Sequence, residues 1–264
     1  MNESEFDQIV NALLGGDTPR VWSLLVTMFG DLALSPDARL SGACVNALTA
    51  AIGIKPEATR VALHRLRKEG WIESHRTGRQ SRYGLTPQGR HETERAWPRV
   101  YGPEPAEAKV CLVLEGPAGV AGQEQPQDGS DRVQLAPRTW LSSHATETLG
   151  LWSAPLSASA EVPHWVSSKL CPPDVQTASQ VFHARLTTVE AHDDLATLTV
   201  LQRTALRVVI VHEWRRLVLR VPRFPERLFS AGWKGQACRA AVHRMLETLA
   251  APDLDVLEAH IEST

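Results

Sequence analysis

The stretch from Lys55 to Leu85 constrains the fold more than any other part of the chain. Lys55-Pro56-Glu57 starts a helix with Pro at its first position, where the missing N–H has no partner to lose, and Gly70 stops it. At about 100° per residue, Thr59, Ala62, Leu63, Leu66 and Gly70 gather on one side. Glu57, Arg60, Val61, His64, Arg65 and Lys68 occupy the other. Two short alternating strands follow, Trp71–Arg76 and Ser81–Leu85, joined by a turn at Thr77-Gly78-Arg79-Gln80. Alternation points Trp71 (or Ile72), Tyr83 and Leu85 inward. Arg76, Arg79 and Arg82 sit about the tip, and no acid occurs between Glu73 and Glu92. On its own the helix reads as an ordinary amphipathic surface helix. A basic helix followed by a basic hairpin reads as a winged helix, with the helix in the major groove and the wing along the DNA backbone. In that reading Arg60, Val61, His64 and Arg65 face base edges. Lys68, Arg76, Arg79 and Arg82 face phosphates, and the helix N-terminus near Glu57 favours another phosphate.

The preceding sequence supplies two more helices. Thr18-Pro19 predicts a helix start, with Val21, Leu24, Leu25, Met28 and Leu32 on one apolar face. Ser41 caps a second helix running to Ile52, with Gly53 as its stop. Thr86-Pro87 caps a last helix, Gln88–Val100. The charge distribution agrees with a polyanion-binding segment. The net charge is −2, yet residues 20–99 hold 13 Lys and Arg against 7 Asp and Glu, while both flanks are acidic.

Gly102-Pro103-Glu104-Pro105 reads as a linker. Beyond it, residues 108–185 show short apolar runs separated by Gly, Pro, Ser and Gln clusters, the pattern of strands and loops, with Gly116–Gly129 a Gly/Pro-rich loop. From about Asp193 the pattern is helical, with Leu195, Leu198, Leu201, Ala205, Val208, Val209 and His212 on one stripe. The predicted architecture is α+β and multidomain: 18–101 a DNA-binding unit, 108–190 a small α/β unit, and 193–262 a helical unit for ligand binding or dimerisation. The cluster His212-Glu213-Trp214-Arg215-Arg216 has two readings: a cradle for an anionic, partly aromatic ligand, or a buried Trp214 beside ion-paired arginines. Trp152 and Trp165 are further candidates for stacking on an aromatic effector.

Enzyme signatures are absent from the sequence. It has no phosphate-binding G-x-x-x-x-G-K-[ST], no G-x-S-x-G elbow and no histidine spacing suited to a metal, so no catalytic or metal-ligating residue and no resident cofactor is expected. Four cysteines some sixty residues apart form no C-x-x-C pair, which predicts free thiols in a reducing cytoplasm. The acidic N-terminus does not read as a secretory signal, and no apolar run approaches the ~20 residues of a membrane span.

Through SLLVTMFGD (Ser23–Asp31), RVALHRLRKEGWIES (Arg60–Ser74), GRQSRYGLTPQGR (Gly78–Arg90) and RVYG (Arg99–Gly102), the chain bears a resemblance to the PaaX family of bacterial repressors. HEWRRLVLRVPRFPERLF (His212–Phe229) and GWKGQA (Gly232–Ala237) extend it more weakly. It implies an N-terminal winged helix-turn-helix, a central ferredoxin-like α/β domain and a helical C-terminal domain. It also implies a homodimer on double-stranded operator DNA, released by a coenzyme A thioester such as phenylacetyl-CoA, in control of aromatic-acid catabolism. The middle region departs from the family in its Gly116–Gly129 loop, where an Arg-containing helix is expected. The competing reading is a small-molecule-binding protein whose winged helix is a protein-interaction module.

Overall fold

Glycine stops and hydroxyl caps set several of the helix boundaries of the N-terminal half. The computed structural model describes residues 3–77, 80–103, 109–116, 131–143, 151–157 and 159–263. The first helix, α1 (Glu3–Leu14), has no counterpart in the sequence reading. Its signal is nevertheless present: Phe6, Ile9, Val10, Leu13 and Leu14 repeat at helical spacing and all are buried. Next comes α2 (Val21–Leu32), which is buried from Leu24 to Gly30. It starts two residues later than Thr18-Pro19 implies. Arg20 is the N-cap without a side-chain bond, its carbonyl accepting from the Leu24 N–H at 3.0 Å, and Pro19 is buried ahead of the helix.

Strand β1 (Leu40–Ser41) leads into α3 (Gly42–Ala51), capped by the Ser41 hydroxyl accepting from the Cys44 N–H at 3.0 Å. Gly53 at φ +80° turns the chain into α4 (Pro56–Lys68), and Gly70 at φ +74° ends that helix. Gly70 is held by a paired-carbonyl stop, its N–H on the Arg67 carbonyl and the Trp71 N–H on that of Leu66. Residues with a Cβ are strained at both angles. Strands β2 (Ile72–Thr77) and β3 (Gln80–Leu85) form an antiparallel hairpin, Ile72 opposite Leu85 and Thr77 opposite Gln80. β1 pairs with the outer side of β3, giving the sheet order β1-β3-β2. Thr86 then caps α5 (Pro87–Val100) and also donates its hydroxyl to the Gly70 carbonyl at 2.5 Å, fastening the end of α4 to the start of α5.

A second, four-stranded antiparallel sheet contains β4 (Cys111–Glu115), β5 (Arg132–Ala136), β6 (Thr139–Ser142) and β7 (Leu151–Pro155), in the order β5-β6-β4-β7. Cys111, Val113 and Trp140 form its buried face. Most of the Gly116–Gly129 loop lies outside the described residues. Where strands and loops are expected up to residue 185, the chain instead forms two helices, α6 (His164–Leu170) and the 18-residue α7 (Pro173–Glu190). A short 3-10 turn, Asp193–Thr197, precedes α8 (Val200–Val218), so the predicted Leu195–His212 helix starts later and runs further. α9 (Gly235–Thr248) and α10 (Leu254–Glu262) complete an α+β fold.

Three consecutive segments were expected, whereas the chain forms two compact units. The first combines Met1–Tyr101 with Phe182–Arg216 and Ala237–Thr264, and the second combines Gly102–Val181 with Leu217–Gln236. The helical C-terminal residues therefore contribute most of their length to the unit that holds α3 and α4. The four cysteines are buried free thiols. Among the described residues, no helix is long and apolar enough to cross a membrane.

Candidate nucleic-acid interface

α4 buries Thr59, Ala62, Leu63 and Leu66 and is exposed on its other side, as its wheel predicts. Thr59 donates its hydroxyl to that of Thr49 at 2.9 Å, a buried contact that fixes α4 on α3. The outward face carries Glu57, Arg60, Val61, His64, Arg65, Arg67 and Lys68. Val61, at 64% exposure, is a large apolar side chain left in water among cations, which is what a contact to a thymine methyl needs.

A groove of about 540 Å³ runs along one edge of this face. Arg60, His64 and Arg67 of α4 line it together with Asn46 of α3 and Tyr83 of β3. Arg60 and Arg67 form no side-chain hydrogen bond or ion pair with another described residue. Arg67, Asn46 and Tyr83 are absent from the sequence-predicted site, although Arg67 stands two turns beyond Arg60 and so shares its edge. Arg65 is differently placed. Its guanidinium pairs with Glu69 at 2.7 Å and lies 5.7 Å from the Trp22 ring centre, while the Trp22 indole also donates to Glu69 at 2.8 Å. The Arg65 bond is the main reason the Glu69 carboxyl is held below its usual range. Arg65 therefore belongs to an intramolecular cluster at the edge of the face.

The hairpin carries Arg76 exposed on β2 and Arg82 half-buried on β3, and Arg79 lies outside the described residues. Of the residues expected to face inward, Ile72 and Leu85 are buried, with Trp71 and Tyr83 half-buried. The hairpin's acid, Glu73, is neutralised locally, since it accepts from Arg39 at 3.1 Å and contacts His75 at 3.1 Å. Arg76 and Arg82 thus project a positive field with no carboxylate paired to them among the described residues.

Long-range contacts inside the first unit hold this surface. The Asp31 side chain of α2, fully buried, takes a two-pronged ion pair from Arg207 of α8 at 2.7 and 2.9 Å, and the Tyr101 hydroxyl at 2.6 Å. Burial, then the Asp31 charge, pushes the Tyr101 hydroxyl well above its ordinary value. Trp214 donates its indole N–H to the Val100 carbonyl at 2.9 Å and is covered by Arg239 at 5.1 Å.

These contacts correct part of the effector-site expectation. His212 and Trp214 are fully buried core residues and offer no surface to a ligand. Arg216 pairs with Glu213 at 2.9 Å. Arg215 lines a small cleft with Trp97 and Tyr101, whose rings stack at 4.0 Å. Trp152 and Trp165, in the second unit, are exposed. Among the described residues no group of His, Cys, Asp and Glu could hold a metal ion.

Burial, followed by the nearby positive charges of Arg216 and Arg215, lowers the His212 imidazole from 6.5 to about 3. Between those values the unfolded chain binds a proton that the folded chain refuses. The contribution of a neutral His212 to stability is therefore full above pH 6.5 and falls as the pH drops toward 3. His212→Leu should flatten the dependence of the melting temperature on pH across that window. A variant curve as steep as the parent's would place the acid sensitivity elsewhere.

Residues 20–89 match the family described as PaaX-like protein, and residues 173–259 match the PaaX-like protein C-terminal domain. The chain belongs to the PaaX-like family. The first match spans α2 to the start of α5, and the second spans α7 to most of α10. The transcriptional repressor PaaX of Escherichia coli (strain K12) is 28% identical over 246 residues, 82% of this PaaX-like chain and 76% of that one. Among solved structures, the uncharacterized protein Rv0674 from Mycobacterium tuberculosis aligns at a TM-score of 0.49 with 19% identity, over 89% of this chain and 97% of that one.

Proposed function

We propose that this PaaX-like chain is a DNA-binding transcriptional repressor in which α3, α4 and the β2–β3 hairpin act as a winged helix-turn-helix. The observation that carries the reading is the groove between α4 and β3, where Arg60, His64 and Arg67 stand beside the exposed Val61 with Arg76 and Arg82 on the hairpin. Unpaired cations around one exposed apolar contact suit a DNA groove, since phosphates supply affinity and base edges supply selectivity. The repressor named above, related over most of both chains, supports the regulatory role and its assignment to phenylacetate-type catabolism. As a homodimer it would address two half-sites ~34 Å, or one turn of DNA, apart.

For the second unit we propose the ferredoxin-like assignment. Its support is the strand order, in which the first strand lies between the third and the fourth. The effector is proposed to be an aryl- or acyl-coenzyme A thioester. Arg215 in the first unit, or Trp152 and Trp165 in the second, are the sequence-derived candidates left available to contact it.

The test is binding to the chain's own upstream promoter DNA over a salt series, with thioesters added in turn. Affinity should fall steeply with salt, by a slope of about −0.9 for each phosphate neutralised, and one thioester should release the DNA. Absence of salt-dependent binding would overturn the DNA reading in favour of a protein-interaction module. Binding indifferent to every thioester would remove the effector alone.

A further inference from the structure

α10 lies 217 residues beyond α3's capping serine, yet it reaches that residue with a buried carboxylate. Glu258 is 6% exposed and accepts from the Ser41 backbone N–H at 2.7 Å and from the Ser41 hydroxyl at 2.6 Å. A carboxylate is retained in such a place only when its oxygens are bonded. Here it also lies at the positive end of α3. Leu257, fully buried next to it, seats α10 in the same unit.

Ser41 is the residue through which three recognition elements meet. Its hydroxyl caps α3 through Cys44, its backbone pairs with Arg82 in the wing strand, and α3 in turn holds α4 through Thr49 and Thr59. Glu258 and Arg82 both act on the neighbouring Cys44 thiol, which burial above all pushes up to about 12, the carboxylate raising it and the arginine lowering it. The acid of α10 and a cation of the wing therefore face one spot.

We propose that Glu258 is a positioning residue for DNA recognition, and that α10 is the handle through which the C-terminal helices set the pose of α3, α4 and the wing. The proposal rests on the DNA-binding reading. Whatever displaces α10 releases Ser41, and with it both the start of α3 and the pairing of β1 with β3.

The experiment compares the parent chain with Glu258→Ala, Glu258→Gln and Ser41→Ala, measuring affinity for promoter DNA and for random DNA across a salt series, together with the melting temperature. Glu258→Ala should lose about tenfold or more in promoter affinity. Its salt slope on random DNA should be unchanged, because no cation has been removed. Glu258→Gln keeps one acceptor oxygen and should recover part of the loss. Ser41→Ala, which retains the backbone donor, should fall between them and keeps the test open if the alanine variant at 258 does not fold. Promoter affinity unchanged in a folded Glu258→Ala chain would reduce the contact to a structural one and overturn the proposal. A rise in affinity would also overturn it, making α10 an obstacle to DNA. Failure of the parent chain itself to bind DNA would instead count against the underlying function.

Discussion

Replacing Arg60 and Arg67 together by alanine should weaken promoter binding by roughly a hundredfold or more, at ~1–3 kcal/mol for each arginine that reads a base. Both side chains are exposed on one edge of α4, line the groove beside Tyr83, and form no hydrogen bond or ion pair with another described residue. Their removal therefore should leave the melting temperature nearly unchanged, since surface substitutions away from such contacts stay within ~0.5 kcal/mol. The single variants separate the roles. An arginine reading a base loses promoter affinity while random-DNA binding persists. An arginine on phosphate loses both alike and lowers the salt slope by about one. Arg65→Ala is the internal comparison, with a smaller effect expected because its guanidinium is already held by Glu69 and Trp22. Equal promoter affinity in the parent and the double variant would remove the groove from the interface.

Asp31→Ala should be the most destabilising single change in the first unit, at ~3–5 kcal/mol. The carboxylate is fully buried and serves two partners, Arg207 and Tyr101. Without it, Arg207 keeps its bond to the Leu249 carbonyl at 3.0 Å, but its charge is stranded in a low dielectric. That loss is a large share of a typical domain stability of ~5–15 kcal/mol, and corresponds to roughly 6–20 °C in melting temperature. Replacing both partners by apolar residues, Asp31→Leu with Arg207→Met, should recover much of it, because no buried charge is left unpaired. A loss below ~1 kcal/mol in Asp31→Ala would show that water reaches the pair. The same pair joins α2 to α8 across 176 positions, so its loss should also loosen the support beneath α4.

α4 and the hairpin that follows it were legible in the sequence because their signals are local. Pro56, the 3.6-residue spacing of Thr59, Ala62, Leu63 and Leu66, the stop at Gly70 and the alternation up to Leu85 act within one or two turns of chain. The long helix α7 was not legible, since its buried stripe of Val175, Phe182, Leu186 and Val189 is interrupted by Ser179 and its mean hydropathy is low. Ser179 is buried there because its hydroxyl finds partners, donating to the Gln176 carbonyl and accepting from the Lys234 N–H. The cluster at His212–Arg216 remained open between ligand and core for a similar reason. Its composition fits both, and only the packing of Trp214 on Val100 and Arg239 decides.

By itself, then, the sequence determined where α3, α4 and the hairpin begin and end and which face of α4 carries charge, because propensity, capping and periodicity are properties of neighbours along the chain. The tertiary structure decided which of those charges are available. Arg65 is withdrawn by Trp22, 43 positions away, and by Glu69, while Arg60 and Arg67 are left facing the groove. It also decided that most of the C-terminal helical residues belong with the unit that holds α3 and α4, through Asp31–Arg207 and Ser41–Glu258. Burial and ion pairing depend on groups brought together from distant parts of the chain, and no local pattern encodes which partner arrives.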